Sequence, residues 1–281
     1  MLLRTVVYIQ QLSAHINGHN QLSEQEIEYK LDSLIGCTTL TMDLPVNHLE
    51  LLRARRCERN NFEHIDELSY IKNVTATFPA KGRLNRAGEA IFYASLAIKN
   101  DDSALHVVLS ETKAKKLDQL NILRSYQKND KDLSLRMIGI WDEVRKNCKP
   151  SYLEEKVFSY YKEAWALMQT KFDSKLFYAF QLTDRFLADV MAQEGSEKLY
   201  DVTSMASYIF LDSDKIDGIL YSSVEAKNAP AVALKPCAVN RAIEFQWVAD
   251  VRVIEHLGYE FYLYHTIKKT NSIDSSGKLN W

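Results

Sequence analysis

The sequence predicts an α+β domain, and three observations carry that prediction. Short β-forming runs occupy the first part of the chain, the middle repeats aromatic and aliphatic residues at helical spacing, and the last third returns to strand-like runs. That order argues for a central mixed or antiparallel sheet flanked by helices, and against regular βαβ alternation. With 281 residues, 46% hydrophobic and 26% charged, the chain is long enough to bury a sizeable core.

A short N-terminal helical arm is expected over 1–48. Ser23 ahead of Glu24, Glu26 and Glu28 reads as a capped helix start, and Gly36 as its end. Pro45 and Asn47 mark a turn, and the main domain is expected over 49–267. Strands are expected at Ile91–Ala94, at Leu133–Ile140, at Gly218–Ser222 and at Ala231–Leu234. A further strand is expected at Tyr259–His265, with Tyr259, Phe261 and Leu263 on one face. Helices are expected from Tyr152 to Leu167 and from Leu176 to Met191, closed by Gly195. The polar stretch 268–281 reads as a flexible tail.

Composition narrows the function classes. Thirty-five basic residues against 37 acidic ones give a net charge of −2, which speaks against a nucleic-acid binder. The four cysteines form no CxxC pair, as expected for reduced thiols in a cytoplasm. His15 and His19 stand at HxxxH spacing, but Asn17 and Gly18 lie between them and a third ligand is missing, so they read as a loop or surface pair. No apolar run approaches the ~18 residues needed to cross a bilayer.

Three constellations could carry chemistry. In Leu52–Arg59, a strand would place Arg53 and Arg55 on one face and Arg56 on the other, for phosphate or for water. In Phe78–Tyr93, Gly82 and Gly88 bracket Arg83, Asn85 and Arg86, as a ligand loop or as a plain entry loop. In Asp217–Asn228, Tyr221, Ser222 and Ser223 end a strand, as hydrogen-bonding groups or as a turn.

Taken together and in this order, the blocks resemble the RES domain, a family of NAD+-degrading bacterial toxins with an ADP-ribosyltransferase-like fold. The residues carrying the resemblance are Arg53-Ala54-Arg55, Gly82-Arg83-Leu84-Asn85-Arg86-Ala87-Gly88 leading to Phe92-Tyr93, Gly218-Ile219-Leu220-Tyr221-Ser222-Ser223, and Val232-Ala233-Leu234. The resemblance implies cleavage of the nicotinamide–ribose bond of NAD+, by hydrolysis or phosphorolysis, without a metal. It implies Arg53 or Arg55, together with Arg83, on the pyrophosphate, with Asn85, Tyr93, Tyr221 and Ser223 in the same pocket. A cognate antitoxin and self-association are the partners it suggests, with no membrane role. The sequence departs from the family where Val107 stands in place of a Glu that follows Ala-Leu by two positions, and at Ala231, often Asn. If 103–111 is helical, Glu111 lies one turn beyond Val107 on the same face and either supplies the carboxylate or, as Glu more commonly does, stands as a solvated surface group; His106 is a weaker candidate. A module that binds NAD+ or ADP-ribose without turnover, and an ADP-ribosyltransferase, are the alternatives.

Overall fold

The computed structural model describes residues 1–38, 43–46, 48–57, 61–97, 103–150, 152–223, 229–259 and 261–281. The expectations that touch Asn47, Glu58, Arg59 and 224–228 lie outside these residues. The fold is α+β. Among the described residues, nine strands form one mixed sheet: β1 (Asp43–Val46), β2 (Glu50–Arg56), β3 (Phe92–Leu96), β4 (Gln119–Gln127), β5 (Leu133–Met137), β6 (Gly218–Ser222), β7 (Pro230–Leu234), β8 (Ile243–Gly258) and β9 (Phe261–Thr270). Their order is β1-β5-β6-β7-β3-β2-β4-β8-β9, and only β5–β6 is parallel. The helices are α1 (Leu2–Ile16), α2 (Glu24–Thr38), α3 (Ser103–Glu111), α4 (Ile140–Lys146), α5 (Glu155–Lys171), α6 (Ser174–Ala192), α7 (Glu197–Leu211) and α8 (Pro236–Ala242).

The middle of the sheet is covered on both sides, which explains why β6 and β7 are apolar at successive positions. Ile219, Tyr221, Ala231 and Ala233 face one way, into a core built with Leu12 of α1, Leu31 and Leu34 of α2, Leu187 of α6 and Val202 of α7. Leu220, Val232 and Leu234 face the other way, against Ala238 and Val239 of α8 and Ile65 and Leu68. Each fully buried Leu or Ile contributes roughly 1.5–3 kcal/mol. A third core joins α4, α5 and α6 around Trp141, Phe158, Tyr161 and Phe180. On the outer half of the sheet, Ala104 and Val108 of α3 lie over Leu52, Ile122, Ala249 and Val251.

Several expectations are corrected. Residues 1–48 are not helical throughout, since β1 pairs antiparallel with β5; Pro45 lies in that edge strand, where its missing N–H costs no ladder bond. Helices α1 and α2 share the core of α6 and α7. Ser23 does cap α2, in a reciprocal box with Glu26 (Ser23 N–H to Oε2 2.8 Å, Glu26 N–H to Oγ 3.3 Å), but the helix runs through Gly36 to Thr38. His15 is not on the surface: it sits in the last turn of α1 at 2% exposure, and Asn17 and Gly18 end the helix after it. The strand expected to reach Ile140 stops at Met137, because Ile140 opens α4.

The tail does not fray. Ile273 bridges to Leu279 and His64 to Lys278, Leu279 is 3% exposed, and the Trp281 indole donates to the Phe62 carbonyl at 2.7 Å. In β9 the buried residues are Tyr262 and Thr270, while Phe261 and Leu263 are exposed. β9 is an edge strand, guarded by register slips against β8 and by Lys268 and Lys269. Among the described residues no helix is long and apolar enough to cross a membrane.

Candidate functional site

The site lies where the sheet forks. β2 stays paired to β4 along Glu50–Arg56, and β3 stays paired to β7 along Phe92–Ser95. Between β2 and β3, however, only Leu51↔Leu96 and Leu52↔Ser95 are in register. Beyond them the strands separate, and a cavity of about 390 Å³ opens, lined by Leu52–Arg53–Ala54 on one side and Tyr93–Ala94–Ser95 on the other. That volume is in the range of small-molecule sites.

Arg53 spans the fork. Its Nη1 donates to the Tyr93 carbonyl of β3 and its Nε to the Leu68 carbonyl, which ends the short helical turn Ile65–Glu67, at 2.8 Å, so the guanidinium satisfies one acceptor at the parted strands and one in the neighbouring turn. It also lies over the Phe92 ring, 5.2 Å from the centroid. Burial, with Arg55 nearby, pushes its pKa down to about 9, so it still carries its charge at neutral pH. Arg83 enters from the Gly82 loop. Its Nη1 donates to the Met191 carbonyl at 3.0 Å, and its guanidinium sits 5.7 Å from the centroid of Tyr200. Both arginines are therefore fixed by backbone carbonyls before any ligand arrives, which lowers the ordering cost of binding an anion.

The loop is shaped by Asn85 and Tyr93. The Tyr93 hydroxyl donates to Asn85 Oδ1 at 2.9 Å and accepts the Leu84 N–H at 2.8 Å; Asn85 Nδ2 donates to the carbonyls of Ala80 and Arg86. A Cβ on Gly82 would stand 2.6 Å from Asn85 Oδ1, so no larger residue fits that clamp. Tyr93→Phe should cost about 1–3 kcal/mol, because the buried Leu84 N–H loses its acceptor; chemical denaturation reads this, and an unchanged midpoint would count against the clamp. Burial raises the pKa of both Tyr93 and Tyr221, and Glu111 adds to it at Tyr221, so both phenols stay protonated donors at neutral pH.

The floor of charge comes from α3. Val108, Glu111, Thr112 and Lys113 line the cavity, and the Ser223 hydroxyl donates to Glu111 Oε1. Val107 is buried at 6% exposure and is not a lining residue. Helical spacing explains the exchange: Glu111 is one turn on from Val107 and three positions from Val108, so the last residue of α3 brings a carboxylate to the rim of the cavity, where it stays exposed. Arg56, on the opposite face of β2, donates to the carbonyls of Thr112 and Lys113, each at 3.0 Å, and so ties down the end of α3 that holds Glu111.

Of the residues singled out in the sequence, Arg53, Arg83, Tyr93, Glu111 and Tyr221 line one cavity, and Ser223 joins it through Glu111. Two do not line it. Arg55 instead donates to the Ser69 carbonyl at 3.2 Å, and Asn85 is spent on the loop. Sequence reasoning missed Tyr200, Lys113 and Thr112. The last two follow Glu111 directly, and that adjacency is a signal present in the sequence; Tyr200 lies on α7, where Leu199, Val202, Met205, Ala206 and Phe210 repeat at helical spacing, but that pattern marks the core face and not the neighbouring Tyr200. Among the described residues no group of three or more His, Cys, Asp or Glu side chains is placed to hold a metal. No protein-family profile matches the chain, and no curated protein or solved structure matches it either.

Proposed function

We propose that the protein cleaves the nicotinamide–ribose bond of NAD+, as a RES-type toxin or defence effector of the cytoplasm with an ADP-ribosyltransferase-like fold. One observation carries the reading: guanidinium groups from β2 and from the Gly82 loop, phenols from β3 and β6 and a carboxylate from α3 meet in one cavity, although they are spread from residue 53 to residue 223. The two arginines supply charge-assisted donors for a diphosphate. Phenol walls limit stray water. Glu111 supplies negative charge where a ribosyl cation would develop.

In that reaction the bond between the ribose anomeric carbon and the nicotinamide ring nitrogen breaks, and its electron pair goes to the ring nitrogen, cancelling the positive charge there. The sugar passes through an oxocarbenium-like state, as in glycoside cleavage. Water or phosphate then bonds to the anomeric carbon, and water gives up a proton. Ser223, bonded to Glu111, orients the carboxylate. The presence of a cavity carboxylate favours turnover over silent binding.

A time course of purified protein with NAD+, with and without phosphate, separated by chromatography, tests this. Nicotinamide appearing with ADP-ribose, or with its 1″-phosphate when phosphate is present, is the expected result. Saturable binding with no nicotinamide release would leave a binding module. Label transferred from NAD+ to a macromolecule would indicate an ADP-ribosyltransferase. A neutralising antitoxin and a homo-oligomeric state belong to the same proposal.

A further inference from the structure

The residue before Gly82 and Arg83 is held by a chain of side chains that leads away from the cavity. Lys81 Nζ pairs with Asp201 Oδ1 of α7. The other carboxylate oxygen, Oδ2, lies 3.3 Å from His15 Nε2 of α1. His15 Nδ1 accepts the Leu22 N–H at 3.1 Å, so the neutral ring carries its proton on Nε2, aimed at Asp201. The His15 side chain is 3% exposed, whereas those of Asp201 and Lys81 are 29% and 30% exposed. Tyr200, the neighbour of Asp201, lines the cavity and stacks beside Arg83.

Two features make this more than a surface ion pair. Its inner end is a buried imidazole with both ring nitrogens engaged, so the carboxylate is fixed at a defined point between α1 and α7. Its outer end is adjacent in sequence to cavity residues, and a loop as short as Ala80–Gly88 transmits a displacement of Lys81 to Arg83. The second anchor of Arg83, the Met191 carbonyl, lies on α6, which packs in the same core as α1. The N-terminal helices thus hold both the loop and the carbonyl on which the guanidinium rests.

We propose that His15, Asp201 and Lys81 form a positioning relay through which the N-terminal helix α1 sets the place of Arg83 in the cavity. For its substrate the inference rests on the NAD+ reading above; for the coupling itself it does not. The relay residues touch no substrate. Their loss leaves the carboxylate chemistry of Glu111 in place and loosens the diphosphate grip, so substrate affinity falls more than turnover.

The test compares Lys81→Met, Lys81→Arg and His15→Ala with the unaltered protein. The first readout is amide exchange at Gly82 and Gly88, whose N–H groups bond to the carbonyls of Asn85 and Pro79. Exchange there should accelerate about tenfold in Lys81→Met and His15→Ala and return to the original rate in Lys81→Arg. The second is nicotinamide release: KM should rise about tenfold in Lys81→Met with kcat changed less than about threefold. Should His15→Ala melt because the hole it leaves collapses α1, Lys81→Met still decides, since Lys81 is partly exposed. Unchanged exchange at Gly82 in Lys81→Met overturns the relay, and so does a fall in kcat with KM unaltered. If the unaltered protein does not act on NAD+, the proposed function fails, while the exchange comparison still decides whether the coupling exists.

Discussion

Replacing Glu111 with Gln lowers nicotinamide release from NAD+ by about 10²- to 10³-fold and leaves the melting temperature almost unchanged. The size follows from removing one preorganised charge aimed at the centre where charge develops, typically worth about 3–4 kcal/mol of barrier. The selectivity follows from geometry. Gln is isosteric with Glu, and its side-chain carbonyl still accepts the Ser223 hydroxyl, so the end of α3 keeps its place. Arg56 continues to hold the Thr112 and Lys113 carbonyls, and Val108 and Leu109 remain in their cores. The rate should therefore fall through kcat. Ser223→Ala keeps the charge and loses only its hydroxyl partner, so its effect should be about tenfold. Turnover of Glu111→Gln within tenfold of the original protein would remove the carboxylate from the mechanism, and a loss of stability equal to the loss of rate would make Glu111 merely structural.

The substitution of Val107 for an expected carboxylate changes meaning in three dimensions. In the linear sequence it removes the charge that the proposed cleavage calls for. In the fold that position packs inward, and the helix delivers a carboxylate one turn later, with its serine partner 112 positions further along the chain. The arginines show the reverse. Arg53 and Arg55 share a strand face as alternation requires, yet only Arg53 meets the cavity: it reaches the Tyr93 carbonyl across the fork, whereas Arg55 is drawn to the Ser69 carbonyl.

What the sequence makes legible is local. Apolar runs at β6 and β7, the glycines flanking Arg83, and the Ser23–Glu26 cap all act over a few residues, and each stands where its chemistry points. The fork is not local: it depends on β2 choosing β4 and β3 choosing β7, and no stretch of sequence records a pairing that stops after two residues. Helix α7 is a mixed case. Leu199, Val202, Met205, Ala206 and Phe210 repeat at helical spacing and are buried, so the helix is legible. The small polar Thr203, Ser204 and Ser207 that complete its buried face are not marked by that pattern; Ser207 finds the Leu84 carbonyl at 2.8 Å and Ser204 that of Tyr200. The tail misleads because its apolar residues, Ile273, Leu279 and Trp281, are scattered through a polar stretch, and besides the local Ile273–Leu279 bridge its order comes from contacts of Lys278 with His64 and of Trp281 with Phe62, more than two hundred positions away.

Replacing Asp184 with Asn stabilises the protein above neutral pH, by about 2–4 kcal/mol, and the gain shrinks toward pH 4. Asp184 lies on α6 between the α4–α5 core and the core shared with α7 and is 6% exposed. Burial raises its pKa to about 7, and the nearby Asp142 carboxylate adds to the shift. Asp142 is itself committed to Arg145 and Lys146, with Arg185 at 3.8 Å, so the cations of this surface neutralise Asp142 and leave Asp184 uncompensated. The sign follows from proton counting. In the unfolded chain the carboxyl loses its proton near pH 4; in the fold it keeps it until about pH 7. Between those values the folded state binds more protons than the unfolded one, so stability falls as pH rises through that window and stays low above it. An amide cannot ionise and escapes the loss. Denaturation midpoints of the two proteins at pH 5 and pH 8 measure the difference directly: the curves should diverge as pH rises. Parallel curves would mean that water or a shift of α6 already solvates the Asp184 carboxylate, and that α6 does not carry a buried charge at the pH where the protein works.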